Sequence, residues 1–74
     1  MITVYTKPNC VQCMATKNYL DAKGLEYKTV DISIDTDALN TLIEKGFKAA
    51  PVVDYHGEWW AGFQPDRIDQ KLVA

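Results

Sequence analysis

The chain has 74 residues, 47% of them hydrophobic and 24% charged, with a formal net charge of −2. That length makes one small domain, residues 1–74, and the balance excludes a disordered tail or a collagen-like repeat. Scattered Lys and Arg on an acidic chain offer no nucleic-acid surface, and no apolar run reaches the roughly 18 residues of a membrane span.

Residues 2–5 alternate and are rich in β-branched types, which predicts a first strand. Thr6-Lys7-Pro8-Asn9 is a turn cluster. Asn9 is a candidate N-cap for a helix over 11–23, with Val11, Ala15, Tyr19 and Ala22 as its apolar face and Met14 and Leu20 beside it. Gly24 ends that helix. Residues 27–32 predict a second strand. Asp35 is placed to cap a second helix, whose amphipathic stripe is Ala38, Leu39, Leu42 and Ile43. Gly46 stops it, and Phe47 folds back on its end. A third strand starts on Pro51 and runs to Tyr55. His56-Gly57 is a hairpin-turn signal, and residues 58–61 return as a fourth strand. Gly62-Phe63-Gln64 is a loop. Pro65 suits the first position of a third helix, with Asp66 in its first turn and Ile68 and Leu72 inside.

The order β-α-β-α-β-β-α predicts an α/β fold, a four-stranded mixed sheet flanked by three helices. The first two strands should run parallel through a right-handed crossover, and the last two form a hairpin. Trp59 and Trp60 are adjacent, so they face opposite sides of the sheet. One joins the core. The other lies on the surface, where it would suit a docking patch, or in a cover.

A domain this small has a marginal core, and many such chains add disulfide staples or a metal. Here the two cysteines, Cys10 and Cys13, are three positions apart. A bridge across so short a loop stabilises little. Their placement suggests chemistry instead. A helix start carries unpaired N–H groups and partial positive charge, which favour a thiolate. Cys10 is therefore expected to ionise at lower pH than a free thiol, falling from about 8.5 toward roughly 7. Lys7 either adds to that effect, meets an acidic partner tail or is a solvated loop lysine. Cys13, one turn inside, is expected to be more buried. The asymmetry suits a two-step exchange: Cys10 attacks a disulfide, and Cys13 then resolves the mixed disulfide.

Other readings of the pair are weighed by what each requires. The start Met1-Ile2-Thr3-Val4-Tyr5 lacks the basic, long apolar pattern of a secretion signal, so a cytoplasmic, thiol-reducing setting is expected. There a structural disulfide is disfavoured, and Cys-x-x-Cys is catalytic or metal-binding. A zinc site needs four ligands, whereas the chain offers two Cys and His56, a predicted turn residue. A soft-metal carrier is the rival from another class, because thiolates suit Cu(I) and small copper domains also place Cys-x-x-Cys before a first helix. Those domains end on a strand, and this chain is predicted to end on a helix. Pro51 has two readings as well. It either simply begins a strand or carries a cis bond that turns the backbone at Ala50 toward the cysteines, where an extended substrate could pair with it.

These residues resemble a known family over nearly the whole chain. Tyr5-Thr6-Lys7-Pro8, Cys10-Val11-Gln12-Cys13, Ala15-Thr16-Lys17, Val30-Asp31-Ile32-Ser33, Ala50-Pro51-Val52-Val53 and Trp60-Ala61-Gly62-Phe63-Gln64-Pro65-Asp66-Arg67-Ile68 are similar to the NrdH-type redoxins, glutaredoxin-sized members of the thioredoxin superfamily. The resemblance implies a minimal thioredoxin fold and a thiol–disulfide oxidoreductase that acts as a monomeric electron carrier. It implies reduction by thioredoxin reductase, with electrons ultimately from NADPH, and delivery to the disulfide of a class Ib ribonucleotide reductase. No bound cofactor is implied, since the Cys10–Cys13 disulfide is itself the redox group. By the same resemblance Cys10 is the nucleophile, Cys13 the resolving thiol and Pro51 the cis proline. Trp60, Gly62, Phe63, Gln64, Pro65 and Asp66 form the loop and helix start beside them, and Lys7, Val11, Gln12 and Ala50 complete the partner-facing set. The family usually has Ser at Ala61 and Arg at Gln64, which bears on partner choice more than on the chemistry. A glutathione-coupled glutaredoxin is the alternative. Bulky Phe63 and Pro65, which lacks an N–H donor, speak against tight glutathione binding.

Overall fold

Strand alternation divides the apolar residues between two faces of one sheet. The computed structural model describes residues 2–73, with side chains through Lys71. The elements are β1 (Ile2–Thr6), α1 (Val11–Ala22), β2 (Tyr27–Asp31), α2 (Thr36–Glu44), β3 (Val52–Tyr55), β4 (Glu58–Ala61) and α3 (Pro65–Ile68). Their order is the predicted one. The helix begun by α3 continues as a π-helical turn over Asp69–Val73, where a single α-helix was the expectation. The inner-face position expected for Leu72 lies outside the side chains described.

The four strands form a mixed sheet in the order β2-β1-β3-β4. β1 runs parallel to β2 and antiparallel to β3, and β3 pairs antiparallel with β4. His56 and Gly57 both have positive φ, 49° and 87°, as a tight hairpin turn requires.

On one face Ile2, Val4, Val53 and Trp60 pack against Leu20 of α1 and Ile68 of α3. On the other, Val52 packs with Ile32 and with Leu42 of α2. Trp59 belongs to this second core. Its ring stacks on Tyr5 at 5.5 Å and on Phe47 at 6.3 Å, and the Lys45 ammonium sits 4.6 Å from its centroid. It is a half-buried cover, not an exposed docking aromatic.

The inner face of α1 differs from the predicted one. Cys13, Thr16 and Leu20 are buried, whereas Val11 is 81% exposed and Met14 58%. Side-chain hydrophobicity alone misplaces this helix because Thr16 is buried at no polar cost. Its hydroxyl donates to the Gln12 carbonyl at 2.9 Å. The rotation turns Cys13 inward and leaves Val11 and Met14 in solvent.

Both long helices end alike. The Gly24 and Leu25 N–H groups donate to the Asp21 and Leu20 carbonyls, and those of Gly46 and Phe47 to the Ile43 and Leu42 carbonyls. Each is a paired C-terminal cap followed by an apolar residue folded back onto the helix. At its other end, α2 is capped by the Asp35 carboxylate, which accepts from the Ala38 N–H at 3.0 Å. Asp35→Ala is expected to cost about 1 kcal/mol. A lower urea midpoint with an unchanged slope would show it.

Candidate redox site at the start of the first helix

The sheet register brings three distant segments to one edge. Tyr5 pairs with Val52, and Val52 pairs with Ala61. The segment leaving β1, the segment entering β3 and the segment leaving β4 therefore emerge side by side. They carry Cys10, Ala50-Pro51 and Gly62-Phe63-Gln64. The same register sends His56 past the Ile2 end of β1, far from the cysteines. Among the described residues, no three His, Cys, Asp or Glu side chains gather as a metal site.

The turn before α1 explains how the first cysteine is presented. Asn9, the expected N-cap, has φ 57°, a left-handed conformation that Asn tolerates and a cap does not use. Cys10 is the N-cap instead, with extended backbone at φ −111° and ψ 106°. Its Sγ accepts the Cys13 N–H at 3.1 Å, the bond that a Ser or Asp oxygen makes at an ordinary helix start. The nucleophile expected from the sequence is thus also the first atom of the helix cap.

Cys10 and Cys13 form a disulfide with a Cα–Cα distance of 5.2 Å. Cys10 is 8% exposed and Cys13 1%. The order of burial is the predicted one, although both are covered. The Ala50–Pro51 peptide bond is cis. The Ala50 carbonyl oxygen lies 3.8 Å from Cys10 Sγ.

The third segment is tied to both others. Its Gly62 N–H donates to the Pro51 carbonyl at 2.8 Å, and its Phe63 N–H to Gln12 Oε1 at 3.4 Å. Gln12, between the cysteines, thus reaches across to the loop. Phe63 packs edge-on against Tyr19 at 5.7 Å. The Tyr19 hydroxyl donates to Asp69 at 2.7 Å. That hydrogen bond, then burial and the charges of Asp69 and Asp66, raise the phenol's pKa above its usual value. Gln64 braces the loop: its Nε2 donates to the Ala61 carbonyl at 2.6 Å and its Oε1 accepts from Arg67 Nε at 2.9 Å. Pro65 opens α3, and Asp66 lies in its first turn. Trp60 is the core tryptophan, 3% exposed, with the Arg67 guanidinium 6.0 Å from its ring.

Lys7 is exposed on the turn after β1 and lines a groove that includes Ala50. Val11 stands in solvent beside the disulfide. Tyr19 as the support of Phe63, and the α2 residues along the groove, were not among the expected site residues. For Tyr19 no local signal existed, because its partner is more than forty positions away. For α2 the signal was Ile43, an apolar residue on the stripe beyond what a thin core can cover.

Comparison with known proteins agrees with this geometry. The glutaredoxin family model matches residues 2–60. The glutaredoxin-like protein NrdH of Salmonella typhimurium is 44% identical over 69 residues, covering 93% of this chain and 85% of that protein. The protein of the same name from Lactococcus lactis is 34% identical over 92% of this chain and 94% of its own. Among solved structures, the glutaredoxin-like NrdH-redoxin of Escherichia coli superposes with a TM-score of 0.91 at 36% identity, covering 95% of this chain and 92% of that one. No helix among the described residues is long and apolar enough to cross a membrane. With this fold, a Cys10–Cys13 disulfide at the start of α1 and these relatives, the chain belongs to the glutaredoxin family, among its NrdH-type redoxins, and is a thiol–disulfide oxidoreductase.

Proposed function

We propose that the chain is a protein electron carrier whose dithiol is reduced by a thioredoxin reductase, with electrons from NADPH, and reoxidised by the disulfide of a class Ib ribonucleotide reductase. The observation that carries the division of labour is the Cys10 sulfur at the N-cap, more accessible than Cys13 and facing the Cys13 N–H. On reduction that N–H and the helix start stabilise a Cys10 thiolate.

The reaction then runs in two displacements. The Cys10 thiolate attacks one sulfur of the target disulfide. The target S–S bond breaks, a Cys10–target disulfide forms, and the departing target thiolate takes up a proton. Cys13 loses its proton, and its sulfur attacks Cys10 Sγ. The second target thiolate leaves and is protonated in turn, and the Cys10–Cys13 bond closes. Two electrons pass from the dithiol to the target, so no bound cofactor is needed. The backbone of Ala50, beside Cys10 Sγ, is placed to pair with the target's extended segment. In this reading the protein works as a monomer in the cytoplasm.

Support for a protein reductase over glutathione comes from the loop. Gln12 takes the Phe63 N–H, Phe63 fills the space against Tyr19, and Pro65 has no N–H. The Gly62 N–H is likewise taken by the Pro51 carbonyl, so the loop offers few free N–H groups to a tripeptide. The solved Escherichia coli relative is described as having a thioredoxin-like activity profile.

The deciding measurement follows NADPH oxidation by the oxidised protein, with either thioredoxin reductase or glutathione plus glutathione reductase. Thioredoxin reductase is expected to be faster by at least about tenfold, a difference of roughly 1.4 kcal/mol in barrier. The opposite order would make the protein glutathione-coupled.

A further inference from the structure

The loop after β4 is anchored in two ways, and only one of them acts on the Phe63 side chain. Its backbone is fixed by the Gly62 N–H on the Pro51 carbonyl and the Phe63 N–H on Gln12 Oε1. Neither bond sets where the ring lies. Gly62 has φ 81°, so the loop turns at a residue with no side chain to restrain it. The half-buried Phe63 ring rests edge-on against Tyr19 at 5.7 Å.

Tyr19 is suited to hold that ring. Gln12 and Tyr19 are seven positions apart, two turns of α1, and so stand on one face of the helix. One stripe of the helix that begins beside Cys10 therefore takes both the Phe63 N–H and the Phe63 ring. Tyr19 packs at the border of the first core and is only half-buried, which leaves its ring edge available to Phe63. Its own position is fixed from the far side. The hydroxyl donates to Asp69 at 2.7 Å, the Lys23 ammonium lies 5.2 Å from the ring centroid, and Lys23 reaches Asp69 at 3.9 Å.

We propose that Tyr19 is a positioning residue that sets the choice of reductant: by pinning the Phe63 ring along α1, it keeps the loop in the shape a protein partner docks against and denies that space to a glutathionyl group on Cys10. The proposal rests on the electron-carrier reading above and assigns its selectivity to a residue outside the cysteines and the loop. A loop already in its docked shape loses less freedom when a protein binds. Glutathione would reduce the disulfide by another route. Its thiolate attacks Cys10 Sγ, the Cys10–Cys13 bond breaks, and Cys13 leaves as a thiolate that takes up a proton. A second glutathione thiolate then attacks the bound glutathione sulfur, which frees the Cys10 thiolate and forms oxidised glutathione. In the interval the tripeptide, tethered to Cys10, needs room at the neighbouring loop.

The test compares oxidised wild type with Tyr19→Phe, Tyr19→Leu and Tyr19→Ala. NADPH oxidation is followed with thioredoxin reductase, and with glutathione plus glutathione reductase, on the same stock of each protein. The ratio of the two rates does not change with the folded fraction, so a loss of stability alone leaves it unmoved. Tyr19→Ala should lower the ratio of thioredoxin reductase to glutathione by at least about tenfold, with a higher KM for the redoxin at thioredoxin reductase and little change in kcat. Tyr19→Leu, which keeps apolar bulk and a good helix former, should move it in the same direction. Tyr19→Phe retains the ring and should stay within about threefold of wild type. In ¹⁵N–¹H spectra the Phe63 amide should shift in Tyr19→Ala. The dependence of Cys10 alkylation on pH should match wild type. An unchanged ratio in both Tyr19→Ala and Tyr19→Leu overturns the proposal, as does a changed ratio that follows an altered Cys10 alkylation profile. If wild type itself is reduced faster by glutathione, the electron-carrier reading fails, and Tyr19 is still judged by the shift between wild type and its variants.

Discussion

Replacing Cys10 with serine is expected to abolish reduction of a protein disulfide such as insulin's, by roughly 10³-fold or more, because the attacking sulfur is gone. The fold should survive. Serine is among the best N-cap residues, and its hydroxyl can accept the Cys13 N–H that Cys10 Sγ accepts at 3.1 Å. Loss of activity with an unchanged denaturation midpoint would therefore isolate chemistry from stability. Cys13→Ser should behave differently. Cys10 still attacks, but the buried position at the first turn of α1 holds no second thiol. The mixed disulfide with the target should accumulate, visible as an added mass that a reductant removes. Turnover of insulin by Cys10→Ser would reverse the assigned roles.

Leu20→Ala is expected to cost about 3–5 kcal/mol. Leu20 is fully buried between α1 and the sheet, and its carbonyl also accepts the Leu25 N–H at the helix end. At roughly 0.05–0.15 kcal/mol per residue, a domain of 74 residues holds only about 4–11 kcal/mol in total. The variant should thus be close to unfolding at physiological temperature. Val11→Ala, at a position 81% exposed, should change stability by no more than about 0.5 kcal/mol. Urea midpoints of the two variants test how α1 is rotated. A large loss at Val11 with a small one at Leu20 would place the opposite face inward.

What was legible in the sequence follows the range of each signal. Asp35, Gly24, Gly46 and His56-Gly57 act within a few residues, and each ends or turns an element where its chemistry says. Alternation in 2–5 and 58–61 likewise set the strands and separated Trp59 from Trp60. The rotation of α1 was not legible, because Thr16 and Cys13 are buried for reasons that apolar periodicity does not count. Nor was the cap. Asn9 is the better cap by residue type, but the turn needs a left-handed residue there, so the sulfur one position later takes the role. The side of Trp59 depended on Phe47 and Tyr5, which reach it only through the sheet. The Cys-x-x-Cys pair was plain at once. Its contacts with Ala50 and the Phe63 loop depend on pairing between strands some forty to fifty positions apart.

The register that gathers the three loops at one edge of the sheet also empties the opposite edge. The His56-Gly57 turn sits there beside Ile2, exposed and remote from the dithiol. An attachment point for a dye, a surface linker or an inserted peptide is therefore available in the middle of the chain. Segments inserted between His56 and Gly57 lengthen a hairpin and leave the redox end untouched. The same insertion between Gly62 and Phe63 would cut the strap that joins Gln12 to Pro51.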